Sequence, residues 1–359
     1  MVKKISPFSF KATNNVPKIL VDLNLTLAIS TYQAGKVIFI SAIDESTISQ
    51  LPRDFNKPMG ICLKNNFLAI ASLGEISIFK NIPELAKDYP PQPKTYDSLF
   101  FPRATYYTGM VDIHDIAFTK NELIGINTQY SCICKIDQNF SFTPFWKPNF
   151  ITELVPEDRC HLNGMAMVDD EPLYVTALGQ TNFAEGWRSS KTNGGVLIHV
   201  PTNKIVLENL AMPHSPRVYN GFVYVLLSAT GQLLKYDPQN GRHEIISELG
   251  VFVRGMQIFE NYFFIGFSKI RKSSSGFKDL PIAEKAVDAG ILIYDLNKNE
   301  IIGRVQYENS VDEIYDVSVI LNSSRPGIVT PQKSIHIHAV SFPDASFWKL
   351  PKDKNSVIL

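Results

Sequence analysis

No stretch of this sequence reaches 18 uninterrupted apolar residues, which excludes a hydrophobic membrane-spanning helix. Its first residues, Met1-Val2-Lys3-Lys4-Ile5-Ser6-Pro7-Phe8, carry charge but no continuous apolar segment, so no secretory signal is expected. Charge of one sign is lacking too. The 35 basic and 35 acidic side chains cancel, which argues against a nucleic-acid binder driven by phosphate neutralisation. Cysteine is scarce: Cys62, Cys132, Cys134 and Cys160 are the four in 359 residues, and without a signal they point to a cytoplasmic protein with reduced thiols. Cys132 and Cys134 lack the second pair that a zinc knuckle needs, so they read as buried thiols. No phosphate-cradling GxxxxGK, no dinucleotide GxGxxG, no HExxH and no nucleophile elbow occurs. Apolar side chains are not scarce, and the 45% hydrophobic fraction excludes wholesale disorder.

The chain is organised around Glu157-Asp158-Arg159-Cys160-His161-Leu162-Asn163-Gly164, a polar cluster that runs into the apolar strand Gly164 to Val168. With Gly164 as position zero, the same layout recurs at Gly60, Asp115, Arg217, Gly255 and Asp316, at spacings of 55, 49, 53, 38 and 61 residues. After each except the last comes a turn and a second apolar strand. A repeat of roughly 40 to 55 residues made of short strands marks a β-propeller blade. At the N-terminus, strands from Leu25, Lys36 and Ser46 lack an inner partner, and the orphan inner strand, Ile314 to Ile320, lies near the other end. The expected fold is therefore all-β, a single six-bladed propeller over residues 1–359, closed by N-terminal strands pairing with a C-terminal inner strand.

Residues 1–17 read as a leader tail, Pro83 to Pro102 as a surface connection, and the tail from Phe342 carries no usable pattern. Two insertions, residues 177–191 and 269–289, both leave the end of a second strand. They should cover the face from which the inner strands start, as lids over a site would.

Residues two apart in a strand share a face, so positions minus three and minus one of each repeat should point together toward the channel mouth. Around the ring these are Lys57 and Met59, Asp112 and His114, His161 and Asn163, His214 and Pro216, Phe252 and Arg254, Glu313 and Tyr315. His114, His161 and His214 come from consecutive blades, and three imidazoles with one open position suit catalytic zinc or a similar divalent metal. The bland alternative is that each hydrogen-bonds a loop carbonyl; His199, His243, His336 and His338 read as structural. Lys57, Arg159, Arg188, Lys191, Arg217, Arg254, Lys269 and Arg271 concentrate positive charge on the same face, which points to an anionic ligand unless Glu157, Asp158, Glu185 and Glu313 neutralise them. Strand alternation turns Cys160 away from His161, which weakens a thiol-nucleophile reading. Ser30, Ser72, Thr128, Thr176, Ser228 and Ser268, which end second strands, read as turn hydroxyls.

The blocks Ser30 to Gly35, Pro58 to Gly60, Asp112 to Asp115, Pro156 to Gly164, Gly186 to Arg188, Met212 to Arg217, Arg254-Gly255 and Ser268-Lys269 resemble those of a bacterial conserved-hypothetical family over nearly the whole chain. That resemblance implies a β-propeller and no established activity; Lys57 stands where the family pattern has Arg, a charge-conserving departure. A looser similarity is to six-bladed propellers with a channel metal, namely the lyase domain that cleaves peptidyl-hydroxyglycine and gluconolactonase-like enzymes.

The functional expectation is a metal-dependent lyase or hydrolase for a small or peptide-linked anionic substrate, with no nucleic-acid or membrane partner. His114, His161 and His214 would hold the metal with Asn163 nearby, Glu313 or Asp112 would act as general base, and Arg254, Arg217 and Arg159 would orient the anion. The alternative is a non-catalytic propeller whose basic, lidded face binds an anionic glycan, peptide or protein.

Overall fold

A computed structural model of the chain describes residues 6–270 and 276–349. Six blades form a ring, each with four antiparallel strands from an inner to an outer one; blades one and five carry a fifth strand at the outer edge, and in blade one it is Pro326–Ile328, which pairs in parallel with Ser98–Gly109. The inner strands of blades one to five are Ile61–Lys64, Ile113–Phe118, Leu162–Val168, Pro213–Tyr219 and Phe252–Phe259. Blade six is composite: its inner strand, Asp316–Leu321, pairs with Leu25–Thr31, from Leu25 opposite Leu321 to Ser30 opposite Asp316. Its outer strands are Lys36–Ala42 and Ile48–Asp54.

Six wedge-shaped apolar clusters fill the six junctions between neighbouring blades. Each second strand serves two of them. In Leu25–Thr31, Leu25, Leu27 and Ile29 pack toward blade five while Ala28 packs toward blade one. With both sheet faces covered, such strands read as continuous apolar runs rather than as polar/apolar alternation.

Three segments differ from the sequence expectation. Instead of a leader tail, Phe10–Ala12 adds a fifth strand to blade five, pairing with Glu300–Tyr307, and helix Val16–Asp22 buries Val16, Pro17 and Leu20. Phe8 and Phe10 supply the apolar surface that holds this segment down. Instead of a surface connection, residues 83–102 include the short helix Pro83–Ala86 and buried Tyr89 and Tyr96. These pack under a hairpin, Ala339–Phe342 with Ala345–Trp348, where no pattern was legible; Trp348 donates its indole N–H to the Leu85 carbonyl at 3.0 Å.

At position zero the six inner strands converge on a waist, where glycines alternate with charged residues: Gly60, Asp115, Gly164, Arg217, Gly255, Asp316. The glycines are required by contact. A Cβ at Gly164 would lie 2.5 Å from Pro216 Cδ, and one at Gly255, whose φ is +76°, would lie 2.7 Å from Asp316 Cα. At the other three junctions a side-chain oxygen bridges to the next blade. Asp316 accepts from the Ile61 N–H at 2.9 Å, Asp115 from the Met165 N–H at 2.9 Å, and the Ser215 hydroxyl from the Gly255 N–H at 3.0 Å. Arg217 donates to the carbonyls of Met165 and Pro216 at 3.1 and 2.8 Å and lies 3.6 Å from Asp115. Past the waist, where the inner strands end, a funnel of about 720 Å³ opens on the opposite side of the ring.

Candidate functional site at the covered channel mouth

The mouth at the start of the inner strands is framed by hydroxyls that clasp neighbouring blades. Ser30, Thr128, Ser228 and Ser268 donate to the carbonyls of Met59, Leu162, Val253 and Ile314, at 2.5, 2.6, 2.6 and 3.1 Å. Thr176 donates instead to the Asn163 carboxamide oxygen at 2.6 Å, and Asn163 passes the link on by donating to the Pro213 carbonyl at 3.1 Å. Ser72, the sixth member, is buried with no hydrogen-bond partner among the described residues.

Backbone kinks break strand alternation on this rim. Lys57, Asp112 and His161, all at position minus three, have φ of +48°, +51° and +50°, a left-handed conformation that costs a non-glycine residue energy and concentrates at functional rims. The kinks bring His114 and His161 together edge to face at 4.8 Å between ring centroids. All three imidazoles of the trio engage an acceptor through Nδ1. His114 donates to the Asp112 carbonyl at 3.1 Å, His214 to the Met212 carbonyl at 3.0 Å and the Ser228 hydroxyl at 2.9 Å, and His161 to the Asp158 carboxylate at 2.9 Å. No described residue hydrogen-bonds Nε2 of any of them. Burial, with like charge from His161 and Arg254, holds His114 well below the usual imidazole range, and burial followed by Arg254 does the same for His214. Both rings are therefore neutral at pH 7, each with a lone pair on Nε2.

The two insertions meet over this face. Trp187, 2% exposed, packs at 4.3 Å on the His161 ring and donates its indole N–H to Asp158 at 3.0 Å. Leu178 and Trp187 from the first insertion join Leu280 and Ile282 from the second in one apolar cluster, and the Lys191 ammonium donates to the Gly276 carbonyl. This couples the lid to the acid that orients His161.

A chain of rings crosses the mouth in the order Tyr32, Tyr315, His114, His161, Trp187, with successive centroids 5.9, 5.5, 4.8 and 4.3 Å apart. Cations cap it: Lys57 over Tyr32 at 5.4 Å, Arg254 over Tyr315 at 3.4 Å and Arg188 over Trp187 at 4.5 Å. Arg254, with a side chain 16% exposed, lies 3.6 Å from Glu313 and donates no hydrogen bond to a described residue.

The family profile described as "Domain of unknown function (DUF4915)" matches residues 14–329. The chain belongs to the DUF4915 family. No curated protein sequence matches it. Among solved structures, a chain in the crystal structure of the nidogen/laminin complex is similar with a TM-score of 0.52 at 11% identity, covering 83% of this chain and 99% of that one. At that identity the likeness concerns the fold alone.

Within this DUF4915 chain the sequence-predicted site residues part into three groups. His114, His161, His214, Arg254, Glu313, Asp112 and Lys57 gather at the covered mouth, where Asp112 also accepts from Gln129 at 3.0 Å. Asn163 is there too, but both ends of its carboxamide serve the inter-blade link. The lid and rim cations are largely engaged: Arg159 with Glu157 at 2.8 Å and Asn182 at 2.9 Å, Arg188 with Glu185 at 2.8 Å, Lys191 with Gly276 and over Phe277, Lys269 at 3.9 Å from Asp312. Arg217 departs from the expected position: its guanidinium lies at the waist and lines the opposite funnel. Arg271 lies outside the described residues. Among the described residues, no group of three His, Cys, Asp or Glu side chains stands in an arrangement that would hold a metal ion. Cys160 is fully buried, and burial pushes its thiol up to about 12, so it is inert.

Sequence reasoning missed Tyr32, Trp187 and Asp158 and gave Tyr315 no role. Tyr32 and Trp187 sit in two of the quoted blocks, but only the docked insertion and the closed ring bring them to the histidines.

Proposed function

We propose that the covered mouth is a receptor site for an anionic ligand gripped by Arg254. The observation that carries this reading is the state of that side chain. Its side chain is 16% exposed, its guanidinium carbon lies 3.4 Å from the centre of the Tyr315 ring, and no N–H is hydrogen-bonded by a described residue. Its donors are not sealed among the buried atoms and so face the solvent of the mouth, where an oxyanion can take them in bidentate form. Lys57, over the Tyr32 ring that stacks on Tyr315, adds positive charge to the same mouth. The ligand is small or borne on a peptide or glycan. Titration calorimetry with carboxylate, phosphate and sulfate compounds tests this: Arg254→Met should abolish binding without unfolding the protein, and binding that survives the substitution would end the proposal.

A second reading, a metal-dependent lyase or hydrolase, is favoured by the Nδ1 engagement of His114, His161 and His214. Metal-ligating imidazoles are oriented in this way, with the second nitrogen tied to a carbonyl or carboxylate. A divalent ion such as zinc, were the three Nε2 atoms to hold one, would supply an acidified water or polarise a substrate oxygen. Glu313 or Asp112 would serve as base. Metal analysis separates the readings: about one equivalent that is lost in His161→Ala supports the enzyme, while a metal-free protein with intact anion binding supports the receptor alone.

A further inference from the structure

A second concentration of positive charge lies away from the mouth, in a pocket of about 210 Å³ at the seam between blade six and the edge strand of blade one. Three segments far apart in the chain wall it: the two outer strands of blade six, the 83–102 connection through Gln92 and Tyr96, and the approach to Pro326–Ile328 through Arg325 and Pro326. Residues two apart in a strand share a face. Ser49, Leu51 and Arg53 therefore turn together into the pocket, with Ser41 opposite Ser49 and Phe39 opposite Leu51 on the paired strand.

Arg53 is held in place there without being used up. Its Nε donates to the Ile328 carbonyl at 3.3 Å and its Nη1 to the Pro52 carbonyl at 2.9 Å, whereas Nη2 has no described partner and is not sealed among the buried atoms. The Arg325 guanidinium is exposed and makes no hydrogen bond or ion pair with a described residue, while its backbone N–H is fixed by the Asp97 carboxylate at 2.9 Å. Ser49 adds a hydroxyl with no described partner, and Gln92 adds the N–H₂ of a carboxamide whose oxygen is taken by Tyr96 at 2.6 Å. No carboxylate of the described residues lines the pocket. The acids next in sequence to its walls are engaged: Asp54 with the Lys36 ammonium, Asp97 with the Ser323 hydroxyl and the N–H groups of Ser324 and Arg325. Two guanidinium groups less Asp97 leave one positive charge in surplus.

Independently of the reading of the mouth, we propose that this pocket is a second anion site, for the tetrahedral oxyanion of a phosphate, either free or as the head of a phosphate ester. Its donors come from three segments and so from several directions, which a tetrahedral anion answers better than a planar carboxylate, whose two oxygens match one guanidinium fork. At about 210 Å³ the pocket falls below the roughly 300–1,000 Å³ of sites that enclose a whole small molecule. It takes a charged head and leaves any larger body outside. An anion gripped by Arg53 and Arg325 together fastens the outer strand of the composite blade to the segment that crosses from its inner strand to blade one.

The test is calorimetric titration of the full chain with inorganic phosphate at an ionic strength held constant by sodium chloride, repeated with acetate and with glycerol 3-phosphate. Arg325→Gln is the leading variant, because that side chain bonds no described residue and the fold should not depend on it. Arg53→Gln follows, and Arg242→Gln, on the outer strand of blade four, controls for loss of charge alone. Phosphate should bind the wild type and Arg242→Gln alike, and Arg325→Gln and Arg53→Gln at least tenfold more weakly, each having lost a hydrogen bond to a charged group. At about 100 times its Kd, phosphate should also raise the melting temperature of the wild type and leave that of Arg325→Gln much less changed. Phosphate taken up at the mouth would survive Arg325→Gln, so the two sites are told apart. Glycerol 3-phosphate bound as tightly as phosphate assigns the pocket to an ester head and binding of phosphate alone assigns it to the free ion; either sustains the proposal. It is overturned if phosphate fails to bind, if Arg325→Gln binds it as tightly as the wild type, or if acetate binds as tightly as phosphate.

Discussion

The waist and the covered mouth are built from the same repeat, only one to three residues apart along each inner strand, yet they treat charge in opposite ways. At the waist, Asp115 and Asp316 each accept two backbone N–H groups and Arg217 is bound to two carbonyls. At the mouth, the guanidinium of Arg254 and the Tyr315 hydroxyl have no such bonds to described residues. Position zero, where backbones touch, closes the ring. The residues just before it, turned out of alternation by left-handed kinks, are released from that duty and can present side chains to a ligand.

The contrast is broken most severely at the waist. Gly255→Ala puts a Cβ against the Asp316 backbone in a left-handed conformation and should cost about 3 kcal/mol or more, read as a lowered denaturation midpoint. A variant within 0.5 kcal/mol of wild type would mean the waist is looser than its contacts indicate.

Next comes the Asp316 carboxyl, which burial, reinforced by Asp115, raises from 3.8 to about 7. Since the folded value exceeds the unfolded one, its contribution to stability is complete below about pH 4 and is lost as pH rises through about 7. Asp316→Asn should cost about 2 kcal/mol at pH 5, because an amide N–H₂ cannot accept from the Ile61 or Val317 N–H, and should lose less at pH 8. Denaturation curves at both pH values measure this, and parallel losses would show that no proton sits at the waist.

A smaller effect separates two hydroxyls of the same ring. Ser228→Ala removes bonds to Val253 and His214 and should cost about 1 kcal/mol, whereas Ser72→Ala, which removes a buried hydroxyl with no described partner, should be neutral or slightly stabilising. Equal losses would erase the distinction. A comparably small stability change, within about 1 kcal/mol, should follow Arg254→Met, since a stacked cation contributes about that much. A collapse of the fold there would make Arg254 a structural residue and the mouth another waist.

The ring and its composite closure were legible because each blade repeats one pattern: polar cluster, zero position, turn, apolar strand. The mouth was legible in part. Spacing alone brought His114, His161, His214 and Arg254 to one face, but the premise that minus three and minus one alternate simply could not foresee the positive φ of Lys57, Asp112 and His161. Arg217 was misplaced for the reverse reason. It occupies position zero itself and so belongs to the layer of Asp115 and Asp316, not to the rim. Trp187 and Asp158 were invisible as a pair because one sits on an insertion whose docking is decided by the apolar cluster it forms with the other insertion. The N-terminal strand and the C-terminal hairpin went unread because three or four residues at a blade's outer edge carry too little periodicity to register.

Blade six joins Leu25–Thr31 to Asp316–Leu321, segments made at nearly opposite times during synthesis. The earlier strand therefore leaves the ribosome with one edge unpaired and stays so while five blades are translated. Until the later strand emerges, the nascent chain is an open arc whose exposed apolar edge invites mispairing, so the arrival of Asp316–Leu321 decides whether the product is a ring or an aggregate.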